Sequence, residues 1–137
     1  MARSALESVA EAVYTALNVS TLTSIATSGV FSHVPQGTEA PFVWFTVSER
    51  DVDGTFAQVF KECLIRVHAY SAYEGEQEAQ QMINAAVSLL RDTTPSVDHH
   101  TAVMLRHEDS SSFGTETING KPIIHLAADF RLTVAEN

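Results

Sequence analysis

The chain has 137 residues, 45% of them hydrophobic and only 18% charged, and its 17 acidic against 8 basic residues leave a formal net charge of -9. That length fits one compact domain, residues 1–137, which can bury roughly two thirds of its unfolded surface without a metal or disulfide staple. So negative a chain repels phosphate backbones, which excludes sequence-specific nucleic-acid binding and disfavours anionic membranes.

Ser4 and Glu7 form a capping box, each side chain satisfying an orphan backbone N–H of a first helical turn. Leu6, Val9, Ala10, Val13 and Leu17 then recur at helical spacing. Burying each large member contributes about 1.5–3 kcal/mol, so the stripe must face a sheet or another helix. Residues 18–29, rich in Ser and Thr, read as a connector tethered to the core by Leu22 and Ile25. Pro35, Gly37 and Pro41 punctuate a rigid, turn-rich segment.

The β-branched and aromatic run at 42–49 predicts a strand, and Asp53-Gly54 signals a turn inside a connection longer than a two-residue hairpin. A second strand at 59–70 places Val59, Cys63, Ile65, Val67 and Ala69 on one face and Glu62, Arg66 and His68 on the other. Lys61 breaks the inner pattern where the end of the sheet gives it a route to water. Cys63 is the sole cysteine, so no intramolecular disulfide and no thiolate zinc cluster can form; in the run Cys63-Leu64-Ile65 it reads as a buried, inert thiol.

A second helix is predicted over 74–91, with Ala79, Met82, Ile83, Ala86, Leu89 and Leu90 as its buried stripe and Glu74, Glu76 and Glu78 at its positive end. Two more strands follow at 101–107 and 123–134. The latter alternates cleanly, Ile124 to Val134 on even positions against His125, Asp129, Arg131 and Thr133. Between them, polar 109–120 reads as a long loop with Asn119-Gly120 as a turn. Short β–β links favour antiparallel pairing. The expected fold is therefore α+β: a mainly antiparallel four-stranded sheet with two amphipathic helices packed on one face, in the order α-β-β-α-β-β.

Chemistry-bearing patterns are absent. Asp98-His99-His100 and His107-Glu108-Asp109 form the densest ligand cluster, but the rise of a straight strand would hold the two trios roughly 20 Å apart. There is no His-Glu-x-x-His helix, no Gly-x-Ser-x-Gly elbow and no phosphate-cradling glycine pattern. The expectation is a protein that is not an enzyme and holds neither metal nor cofactor. Glu7 and Glu11 interrupt any signal-peptide core, and no apolar stretch approaches the ~18 residues of a membrane span. These features predict a soluble protein made in a reducing cytoplasm. The informative groups are surface ones: Glu49, Asp51 and Asp53 make an acidic edge at the first β–β connection, flanked by Phe56 and Phe60. Together they read either as a solvated loop with a satellite cluster or as a subunit contact with an acidic rim.

From Val34-Pro35-Gln36-Gly37-Thr38-Glu39-Ala40-Pro41-Phe42-Val43 onward the sequence resembles the tail completion (tail terminator, or head-tail joining) proteins of long-tailed bacteriophages. An opening amphipathic helix precedes the Ala40-Pro41-Phe42 step and its strand. The alternating strand Cys63 to Tyr70, an Ala- and Leu-rich helix and two closing strands follow, so the likeness runs over almost the whole chain. The resemblance implies a structural subunit with no catalytic residues that assembles in the host cytoplasm as a homo-oligomeric ring, a hexamer. Such a ring sits at the neck of the virion, stops polymerisation of the tail tube protein and offers a docking surface to a head-completion protein. DNA would pass through a lumen edged by Glu49, Asp51 and Asp53. Another neck or head-closure component, or a small ligand-binding α+β domain, are the competing readings.

Overall fold

The computed structural model describes residues 6–35, 37–55, 58–72, 77–91, 100–118 and 121–136. Helix α1 (Leu6–Leu17) buries Val9, Val13 and Leu17, one residue per turn, as the periodicity demands. Leu6, expected in the same stripe, is 40% exposed in the first described turn. Its supposed cap at Ser4 lies outside the described residues. The connector is more ordered than its composition implies. It contains a single helical turn, α2 (Ser20–Thr23), with Leu22 fully buried, and the two-residue strand β1 (Val30–Phe31).

β1 pairs in parallel with β2 (Phe42–Thr55), Val30 opposite Val43, and Val43 N–H donates to Gly29 O. Gly29 has a φ of +115°, a conformation that suits a residue without a Cβ, and it lets the chain enter this pairing. The segment before β2 is pinned back on itself by Ser28 N–H and Oγ–H, which donate to Pro41 O and Glu39 O, and by Thr38, which donates to Pro35 O.

β2 runs antiparallel to β3 (Gln58–Ser71), β3 to β5 (Lys121–Glu136) and β5 to β4 (His100–Ile118), giving one five-stranded sheet in the order β1-β2-β3-β5-β4. The expected four-stranded antiparallel sheet is thus present, extended by a short parallel strand, and α2 adds a third helix to the two foreseen. Both hairpins are longer than their turn signals implied. Asp53 and Gly54 lie within β2, and the ladder continues to Thr55 opposite Gln58. The polar stretch taken for a loop forms most of β4 and pairs with β5 to its end, Ile118 opposite Lys121, across three register shifts. The residues expected to turn there, Asn119-Gly120, lie outside the described residues.

Strand alternation divides the sheet into two unlike faces. On one, Val43, Phe45, Cys63, Ile65, Val67, Ala128, Phe130 and Leu132 join the buried residues of α1 and of α3 (Gln77–Arg91), which are Ala79, Met82, Ile83, Ala86 and Leu90. This is the main core, and the helices cover that face alone. Lys61 departs from expectation: opposite Val134 and Asp51 on this face, it is 4% exposed rather than reaching water. Phe130→Ala or Phe45→Ala should cost about 3–5 kcal/mol in urea unfolding, whereas Leu64→Ala on the other face should stay within about 0.5 kcal/mol. Similar losses at all three sites would overturn this layering.

Candidate functional site

Among the described residues the other face of the sheet carries no helix, and its polar groups form ordered rows. In the middle, Arg66 and Asp129 lie directly opposite each other and make a two-point ion pair, Nε to Oδ1 at 2.7 Å and Nη2 to Oδ2 at 3.1 Å. Beside it runs a second chain of charge. Arg50 Nη2 reaches Glu62 Oε1 at 2.9 Å, and Arg131 Nε stands 3.5 Å from Glu62 and 3.2 Å from Glu108. The carboxylates lie deeper than their partners: the Glu62 side chain is 11% exposed and that of Arg50 67%. A cavity of about 400 Å³ opens among these groups, lined by Thr46, Ser48, Leu64, Arg66, Asp129 and Arg131.

Toward the other end of the face the rows become aromatic. Trp44 stacks on His68 with centroids 4.5 Å apart, and Tyr70 stacks on both Phe42 at 4.9 Å and His125 at 4.3 Å. His68 and His125, both buried, share a hydrogen bond between Nδ1 and Nε2 at 2.8 Å, in which one ring donates and the other accepts. Phe42, Tyr70 and Ile123 form a small second core here, flanked by Phe31, Val34, Ala40 and Trp44. Reading each strand singly places His68 and His125 on outer faces but does not bring them together. Their meeting depends on β3 pairing with β5, which no local spacing reveals.

Among the proposed site residues, Glu49 is half-buried in β2 opposite Cys63, on the helix-covered face rather than in an exposed connection. Asp51 follows on the same face opposite Lys61, and Asp53 lies in the last residues of the strand; only their backbone is described. Phe60 is half-buried opposite Val52 and Ala135, on the open face. Phe56 lies outside the described residues. Of the histidine cluster, His107 packs on Phe130 and hydrogen-bonds to Ser110 at 2.8 Å. His99 is outside the described residues, among which no three His, Cys, Asp or Glu side chains gather as a metal site.

Solved structures supply the fold class. Matching chains number 33, and one belongs to the "Virion of native gene transfer agent (GTA) particle". It superposes with a TM-score of 0.79 at 15% identity, covering 98% of this chain and 99% of that one, so the two share an α+β fold. No curated protein matches in sequence. The family described as tail completion protein gp17 matches residues 6–120, most of the chain. The protein belongs to that family and is a phage tail structural protein.

Cys63 tests the electrostatics of the covered face. Burial, then the nearby Glu49 carboxylate, pushes its thiol up from 9.0 to about 11. The folded state therefore holds the thiol proton more tightly than the unfolded one. That preference is fully present below pH 9 and is lost as pH rises toward 11. Native protein should resist iodoacetamide at pH 8 and react promptly in urea. The melting temperature should fall across pH 9–11 more steeply than in Cys63→Ala. Equal alkylation of native and unfolded protein would contradict the buried thiol.

Proposed function

We propose that the protein is a ring-forming tail terminator, a non-enzymatic subunit that caps the tail tube and presents the surface on which the head docks. Its membership of the tail completion family carries this reading. The fold it shares with a chain of a gene transfer agent virion supports it further. In this reading the chain acts as several copies, a hexamer, in contact with tube protein on one side and a head-completion protein on the other. Light scattering over a concentration series should then report a species several times the single-chain mass. Tails assembled without the protein should lose their uniform length. A strict monomer that also fails to bind tail tubes would remove the ring.

The acidic β2–β3 arm fits the passage of DNA. Asp51 and Asp53, preceded in β2 by the half-buried Glu49, recur once per subunit, and a closed ring would gather their charges around a confined lumen with no phosphate partner. Phe60, with Phe56 before it in sequence, belongs in this reading to a contact between subunits. Reversing Asp51 and Asp53 to lysine should leave rings intact and make them retain double-stranded DNA at low salt, with release as salt rises. Loss of rings would move these residues to a subunit contact. Intact rings with no DNA retention would place them outside the lumen.

A further inference from the structure

Four large hydrophobic side chains stand exposed among the described residues: Leu6, Tyr14, Val19 and Leu64. Three belong to α1 or the residues just after it. Leu64 alone lies on the open face, midway along β3 and opposite Arg131. The two patches therefore sit on opposite layers of the molecule, and their surroundings differ in charge. Tyr14 is flanked on its helix by Glu11 three residues earlier and Glu7 a further turn back, both exposed, and α1 contains no basic residue.

Leu64 has the contrary setting. The guanidinium groups around it stand outward of their carboxylate partners: Arg66 is 48% exposed against 33% for Asp129, and Arg131 39% against 29% for Glu108. The cavity of about 400 Å³ opens beside Leu64. At its edge Arg131 Nε is buried and has no aligned hydrogen-bond acceptor among the described residues, although Glu108 and Glu62 lie within ion-pair range.

We infer that the α1 face around Tyr14 of one copy seats on the open sheet face around Leu64 of a second copy. The phenol fills the cavity beside Leu64, and Glu7 and Glu11 meet the outward guanidiniums of Arg50 and Arg66. This inference rests on the ring reading above and names its subunit contact. Because the two patches lie on opposite layers, one partner cannot engage both. Each copy joins two neighbours head to tail, the arrangement from which rings are closed. Like-on-like pairing of the α1 faces would instead set carboxylates against carboxylates.

The test uses full-length protein in light scattering. Tyr14→Glu and Leu64→Glu alter exposed positions, so each should keep the wild-type circular dichroism. Each should also raise the concentration of half-assembly at least tenfold. Mixed, the two variants should form a pair and stop there, because Leu64→Glu retains a good α1 face and Tyr14→Glu a good sheet face, while the two altered faces set glutamate against glutamate. In a second arm, Tyr14→Cys and Leu64→Cys treated with a short bis-maleimide should cross-link only when mixed, the native thiol at Cys63 being buried. That arm holds even if a charged variant folds poorly. Wild-type protein that never assembles would overturn the ring and this contact with it. Wild-type assembly with unaffected charged variants, or cross-linking of either cysteine variant alone, would overturn the contact and leave the ring standing.

Discussion

Register along β3 is the constraint on which the rest depends. This strand pairs with β2 on one side and β5 on the other over most of its length. A slip of one residue on either side would carry Cys63, Ile65 and Val67 out of the core and put Arg66 and Leu64 beneath the helices. The apolar alternation resists that slip on the covered face. On the open face it is resisted by partners that only one register allows, Arg66 with Asp129 and Arg50 with Glu62, both directly cross-strand. Such half-exposed pairs add about 0–1 kcal/mol each, so their contribution is to the choice of register more than to its depth.

The same register explains how the open face buries side chains although no described helix covers it. His68 and His125 meet diagonally across β3 and β5, and their rings are held from both sides by Trp44 and Tyr70. Aromatic pairs of this kind contribute about 0.5–1.5 kcal/mol beyond the area they bury. They also remove from water two rings that would otherwise hydrate. The face is thus half stacked aromatic and half ion-paired, with the cavity where the ion pairs splay.

Much of this was legible in the chain, and the exceptions share a cause. β5, β3 and α3 each carry a strong period of their own, so the sequence alone locates them to within a few residues. β4 does not: Asp109, Ser110, Ser111, Ser112 and Gly114 have loop composition, yet they lie opposite the well-patterned β5 and are drawn into strand by its backbone groups. Asp53-Gly54 is a turn signal overruled in the same way by the β2–β3 ladder. Local composition reports what a segment does alone, and a strand edge is never alone. Glu49 follows the same pattern, half-buried in a strand beside Cys63 rather than displayed in a connection. The open face was invisible for a different reason, since its site forms only where β5 and β4 join the β2–β3 pair from far along the chain.

The sheet's edges and its faces offer different routes to association. β4 forms one edge, and a long unpaired edge is a template for another strand. Here the β4–β5 ladder shifts register at Ala102/Met104, His107/Asp109 and Ser112/Gly114, and irregularities of this kind bend and twist a strand away from regular pairing. At the opposite side β1 covers only two residues of β2, so most of that edge is β2 itself. An edge broken as β4 is serves poorly for repeated addition of identical strands. The ring proposed above would gain from that, since strand-on-strand addition has no natural end. The faces are different: one is filled by helices, of which α1 has an acidic outer side, and the other is an ordered array of guanidiniums, rings and one exposed leucine. Contact through faces fixes an angle between copies and lets a closed assembly exhaust its own binding surfaces.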